Sequence, residues 1–170
     1  MKEYTILKDI ALTTVLLLII CMALSCSDNN NPNESKTSII DNNIVNAPSQ
    51  IEIDGQEFSL SSYLWRDYMP ISPIDGKELA AVVYIATSDS SQFPLDLKAD
   101  KMWVLNKDEI WEAQLTNGTQ PDGNFKIKKS ANGGPKWDVG SEVIVVVQLV
   151  DKNNQIYYIK EDGSLIRRTD

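Results

Sequence analysis

Six of the eight glycines in this chain directly follow an Asp or an Asn: Asp54-Gly55, Asp75-Gly76, Asn117-Gly118, Asp122-Gly123, Asn132-Gly133 and Asp162-Gly163. Such pairs enter positive φ at low cost, and tight turns between antiparallel strands require that conformation. The runs between the pairs are rich in Val, Ile, Tyr and Trp, side chains that suit a pleated surface. Short strands separated by repeated turns specify an all-β sandwich or barrel.

Strands are predicted near Ile51–Ile53, Glu57–Leu60, Leu79–Thr87, Lys101–Leu105, Ile110–Leu115, Phe125–Lys129, Val143–Val150, Ile156–Lys160 and Leu165–Arg168. Val143 to Val147 is apolar on both faces, as in a strand at the centre of a sandwich. Phe125-Lys126-Ile127-Lys128 alternates, with Lys126 and Lys128 outward, as at a half-exposed edge. One short helix is expected around Ser61 to Tyr68, ended near Met69 by Pro70.

Gly134-Pro135-Lys136-Trp137-Asp138-Val139-Gly140, followed by Val143, Val145, Val147, Leu149 and Asp151, resembles the entry into a late strand of bacterial immunoglobulin-like domains. The resemblance covers residues 134–160. It implies an immunoglobulin-like antiparallel β-sandwich of about seven to nine strands over residues 51–170, without the paired cysteines of antibody-type domains. It carries no activity with it.

The other end of the chain supplies an address. Lys2 and Lys8 give a positive start diluted by Glu3 and Asp9, Ile10 to Leu24 forms an apolar core, and Ser25 is the small residue at a cut, the pattern of a secretory signal. The apolar run is shorter than the roughly 20 residues that span a bilayer. Ala23-Leu24-Ser25-Cys26 resembles the lipobox of bacterial lipoproteins, although Ala23 and Leu24 reverse the usual order. Cys21 fits that pattern poorly because Ile20 precedes it. The resemblance implies a signal peptide at residues 1–25 and acyl chains, palmitate among them, on Cys26. Two or more chains hold a protein stably on a leaflet. Ser27-Asp28-Asn29-Asn30 resembles the start of Bacteroidota lipoproteins, which implies the outer membrane and leaves its periplasmic and external faces both open. Residues 26–50 are Asn- and Ser-rich without sustained apolar period, so a flexible tether of about 25 Å is expected. A first strand docking through Ile39 to Val45 is the alternative.

The net charge of −8 repels a phosphate backbone, which argues against nucleic-acid partners. The two cysteines are taken by the signal and by lipid, so the domain has no disulfide and rests on its core. The chain has no histidine, which removes Ser-His-Asp and Cys-His nucleophilic systems and the commonest zinc ligand. No P-loop or dinucleotide fingerprint is present, and no cofactor is expected. Glu109 and Glu112 could form a glycosidase pair, yet odd spacing along a strand puts them on opposite faces. Asp151-Lys152-Asn153-Asn154 offers oxygen ligands for calcium but lacks a full twelve-residue loop, and reads as a hairpin turn.

Trp103 and Trp111 sit in predicted strands and are expected to fill the core. Trp65 and Trp137 fall in irregular segments, where binding residues concentrate, and are the candidate ligand or partner contacts. Packing over an open end of the sandwich is their structural alternative. Lys126, Lys128, Lys129 and Lys136 form a basic cluster suited to anionic headgroups or to edge protection. The leading expectation is a non-catalytic lipoprotein displaying a protein-binding or accessory module in the envelope. A carbohydrate-binding surface lipoprotein using Trp65 and Trp137 comes next, then a small carboxylate-dependent hydrolase.

Overall fold

The computed structural model describes residues 41–118 and 124–170. The signal segment, Cys26, the tether through Ile40 and the Asp122-Gly123 pair lie outside the described residues. One helical turn, α1 (Asn42–Val45), precedes nine strands: β1 (Gln50–Ile53), β2 (Gln56–Asp67), β3 (Leu79–Thr87), β4 (Lys98–Asn106), β5 (Glu109–Gln114), β6 (Thr116–Asn117), β7 (Lys126–Gly134), β8 (Glu142–Val150) and β9 (Ile156–Thr169). Among the described residues no helix is long and apolar enough to cross a membrane.

The strands pair in the order β5-β4-β8-β9 in one sheet and β2-β3-β7-β6 in the other, with β9 joining the two. Matched to immunoglobulin strands, β2, β3, β7 and β6 are A, B, E and D, while β9, β8, β4 and β5 are G, F, C and C′. The expected all-β, immunoglobulin-like sandwich is the observed one. It departs from a purely antiparallel arrangement at a single seam. There Leu64 to Asp67 of β2 pair in parallel with Ile166 to Thr169 of β9, along the edge whose first half takes β1.

A bulge makes that seam. Val143 pairs with Ser164 and Val145 with Glu161, so Asp162 and Gly163 together oppose Ile144. Gly163 has φ 75°, the left-handed conformation of a glycine-led bulge, which bends and twists its strand. The bend carries β9 from one sheet to the other. The two predicted strands Ile156–Lys160 and Leu165–Arg168 are therefore one, and Asp162-Gly163 is not a turn. Asn132-Gly133 likewise falls at a register shift, between the pairs Leu79–Gly134 and Ala81–Ala131. Asp54-Gly55 does form the expected two-residue hairpin, with φ 51° and 79° between paired Ile53 and Gln56.

The helix expected over Ser61 to Tyr68 is instead the second half of β2. Phe58, Leu60, Leu64 and Arg66 are buried and alternate with outward Ser59, Ser61, Tyr63 and Trp65, a period of two. Ser62 and Arg66 occupy inward rows, and their polarity hides the period in the sequence. Ser62 meets the Ser164 hydroxyl at 2.8 Å.

The main core lies between the sheets and joins Phe58, Leu64, Val83 and Ile85 to Met102, Val104, Val145, Val147 and Ile159. Each fully buried aliphatic side chain of this kind contributes about 1.5–3 kcal/mol. A second cluster lies on the outer face of the β5-β4-β8-β9 sheet, where Ile44 and Ala47 cover Trp103 and Val146. This cover explains why Val143 to Val147 is apolar on both faces. It also corrects the tether: the chain is packed from Asp41 onward, ten residues before Ile51. The segment docks as a helical turn, with Asp41 accepting the Asn43 N–H at 3.0 Å, rather than as a strand. The Pro48 carbonyl then accepts the Lys160 N–H at 2.9 Å.

Gly163→Ala places a Cβ at positive φ and is expected to cost about 1–2 kcal/mol. A lowered urea midpoint at unchanged denaturant dependence checks this. An unaltered midpoint would mean that the bulge does not need glycine.

Candidate functional site

The outer face of the β2-β3-β7-β6 sheet carries three aromatic side chains, Tyr63 exposed and Trp65 and Tyr84 half-buried. Odd-numbered residues of β2 point outward, which brings Tyr63 and Trp65 side by side with ring centroids 5.5 Å apart. Tyr84 comes outward on β3, in register with Ser61 on one side and with Lys128 on the other. Arg167 of β9 is the parallel-register partner of Trp65, and its guanidinium stands 5.4 Å from the Tyr63 ring.

At the Trp65 end this face opens into a groove of about 500 Å³, lined by Trp65 and Asp67 of β2, Ala80 of β3 and Asn132 of β7, with Pro73, Glu78 and Lys136 among its walls. Loop 68–78 and loop 135–141 supply those walls. Arg66, one residue from Trp65 and therefore inward, fastens both loops. It is 4% exposed. Its Nε donates to the Lys77 carbonyl at 2.9 Å, and its terminal nitrogens donate to the carbonyls of Asp75, Lys136 and Trp137. Among the described residues Arg66 forms no ion pair, so backbone carbonyls alone satisfy the charge. Its carbon Cζ also lies 5.3 Å from the Tyr68 ring, and Arg168 approaches the same ring at 4.2 Å.

Two ion pairs set the rim. Lys77 meets Asp67 at 2.7 Å and Lys136 meets Asp75 at 2.7 Å. The Lys77 hydrogen bond, then the Met69 N–H, holds the Asp67 carboxyl below the ordinary carboxylate value. The Lys136 hydrogen bond does the same for Asp75.

The two candidate tryptophans part company. Trp65 is half-exposed and lies in a strand, not an irregular segment, beside the groove. Trp137 lies in loop 135–141 but is only 7% exposed, packs into the main core and donates its indole N–H to Glu109. Its ring offers no face for stacking. Trp103 and Trp111 are buried as expected. Trp103 donates to Glu112 at 2.9 Å, and the Lys101 hydrogen bond, then that of Trp103, pulls the Glu112 carboxyl below its ordinary value. Glu109 thus turns toward the core side of β5 and Glu112 toward the outer side, each engaged by an indole, and they share no cleft.

Asp151 to Asn154 forms the expected turn, with the Asp151 carboxylate accepting the N–H groups of Asn153 and Gln155 at 2.8 Å each. Among the described residues no three acidic, His or Cys side chains converge as a metal site. Lys126 and Lys128 point outward beside Tyr84. Lys129 donates to Asn117 at 2.8 Å and Lys136 belongs to the groove, so the basic cluster is divided. Sequence reasoning did not pair Tyr63 with Trp65, and it passed over Tyr84, Arg66 and Arg167. The alternation Tyr63-x-Trp65 was the available signal for the first. The chain matches no protein-family model, no curated protein and no solved structure, so the geometry alone carries the functional reading.

Arg66→Met leaves four carbonyls unpaired and is expected to cost about 2–4 kcal/mol by urea unfolding, with Arg66→Lys failing to restore most of the loss. A loss under about 0.5 kcal/mol would show that the loops hold without it. Because the Asp67 and Asp75 values are depressed, their contribution is complete above the ordinary carboxylate value, about pH 4, and fades as pH falls through the depressed values. Trp65 fluorescence is expected to change on acidification through this window, and Lys77→Met with Lys136→Met is expected to abolish the transition. An identical titration in the double variant would contradict the assignment.

Proposed function

We propose that this protein is a non-catalytic, lipid-anchored binding module of the bacterial envelope, and that its ligand is a glycan laid on the outer face of the β2-β3-β7-β6 sheet. The observation that carries the reading is Trp65, half-exposed beside Tyr63 at the edge of an open groove about 500 Å³ in volume. A sugar ring presents C–H groups on its faces and hydroxyls around its rim. An indole supplies the flat apolar partner for the first, and Asn132, Glu78 and Lys77 stand where hydrogen bonds to the second are needed.

The geometry of the acids supports a binding role over hydrolysis. Paired carboxylates act across one glycosidic bond at separations of about 5–10 Å, and here Glu109 and Glu112 serve separate tryptophans on opposite faces. The anchor reading rests on Cys26 and the segment before it. Packing from Asp41 onward removes residues 41–50 from the expected tether.

A protein partner is the second reading, and the loop between β2 and β3 favours it. Met69, Ile71 and Ile74 are all exposed there, the two isoleucines completely. Ile71 also holds φ 88°, a conformation that β-branched residues rarely adopt and that marks strain at functional loops.

A glycan array probed with the full chain is expected to give saturable binding that Trp65→Ala lowers at least about tenfold while Ile71→Ser with Ile74→Ser leaves it unchanged. Binding that survives Trp65→Ala would remove the glycan reading, and loss only in the isoleucine variant would favour the protein partner. A fatty-acid probe fed to expressing cells is expected to label the wild type and not Cys26→Ala. An unlabelled wild type would remove the anchor.

A further inference from the structure

Among the described residues, three of the cations that join no ion pair lie on the ligand face, while Lys98 and Lys107 are unpaired elsewhere. Six ion pairs engage Lys77, Lys101, Lys136, Lys152, Lys160 and Arg168. Among the described residues no carboxylate pairs with Lys126, Lys128 or Arg167, and all three point out of one face. Each rests instead beside an aromatic ring: Arg167 at 5.4 Å from Tyr63, Lys126 at 5.7 Å and Lys128 at 6.0 Å from Tyr84. These distances suit cation–π contact. In a chain of net charge −8, a face with three cations and no salt-bridged acid between them is a local reversal of sign. Of the acids near this face, Glu52 and Glu57 oppose each other beyond Ser59, Asp67 is occupied by Lys77, and Glu78 stands on the loop wall of the groove at the Trp65 end.

The aromatic rings form a diagonal. Trp65 and Tyr63 are two residues apart on β2, and Tyr84 is the neighbour one strand across and two residues further. From strand rise and diagonal spacing the track is roughly 14 Å long. Charge alternates with ring along it, Arg167 at the first half and Lys128 with Lys126 at the second.

We infer that the ligand is an acidic polysaccharide whose sugar rings carry carboxylates, stacked on Trp65, Tyr63 and Tyr84 with the acid groups directed to Arg167, Lys128 and Lys126. This rests on the glycan reading above and adds the charge of the ligand. A repeating polymer fits the repetition of ring and cation, and carboxylates fit a planar guanidinium and two ammonium groups. An anionic bilayer fits less well, because the aromatics are carried by the strands and the fully exposed aliphatic residues, Ile71 and Ile74, belong to the adjoining loop. Single-stranded nucleic acid would also stack, but the net charge of the chain opposes a phosphate backbone.

The test is calorimetric titration of the full chain in detergent with polygalacturonate and alginate, and with the carboxyl-reduced form of each. The acidic forms are expected to bind at least about tenfold tighter at low salt, with the advantage shrinking as sodium chloride approaches about 0.5 M. Lys126→Ala, Lys128→Ala and Arg167→Ala combined is expected to erase the difference between acidic and reduced forms while the melting temperature holds. Equal binding of acidic and reduced forms would overturn the acidic assignment and spare the glycan reading. Failure of all four polymers, together with an empty glycan array, would overturn both. Comparable affinity for phosphatidylglycerol vesicles or for an oligonucleotide would overturn the polysaccharide assignment in favour of a general anion surface.

Discussion

A guanidinium buried without a carboxylate partner holds the grooved end of this domain. Arg66 places its donors on four carbonyls from two loops, and those loops are the walls of the groove beside Trp65. A buried charge costs several kcal/mol unless its hydrogen bonds are met, so the loops and the arginine stabilise each other. Strand alternation does the rest. With Arg66 turned inward, Trp65 and Asp67 must turn outward, and the same residue that fixes the loops fixes the orientation of the candidate contact.

The end of β2 is held a second time from the side. The bulge at Gly163 redirects β9, which brings Ile166 against Leu64 and Arg167 against Trp65. One strand thus closes the sandwich and delivers a cation to the face proposed for the ligand. The parallel seam has a chemical consequence because the pairing register decides which β9 side chain shares that face. A shift by one residue would bury Arg167 and expose Ile166.

Much of the fold was legible in the chain. Turn pairs and β-rich runs gave an all-β sandwich, and β3, β8 and the outward Lys126 and Lys128 fell where alternation put them. The failures have physical causes. Ser62 and Arg66 put polar side chains on inward rows of β2, so a strand read as a helix. Asp162-Gly163 and Asn132-Gly133 have the composition of turns but act as bulges, a distinction that depends on strand pairing and not on local preference. Residues 41–49 looked too polar to pack, and only the apolar outer face formed by Trp103 and Val146 gives Ile44 and Ala47 something to cover. Trp65 is half-exposed and Trp137 buried for one reason: whether an indole is exposed depends on which face its neighbours cover. The aromatic track could not be read from sequence, since Tyr84 joins Tyr63 and Trp65 only through the β2–β3 register.

Backbone amide NMR during titration with an acidic oligosaccharide would map the contact residue by residue. Shifts are expected to concentrate at Tyr63, Trp65, Tyr84, Lys128 and Arg167, with the outer face of the β5-β4-β8-β9 sheet silent. Shifts confined to that opposite sheet, or to the turn at Asp151 to Asn154, would contradict the proposed contact.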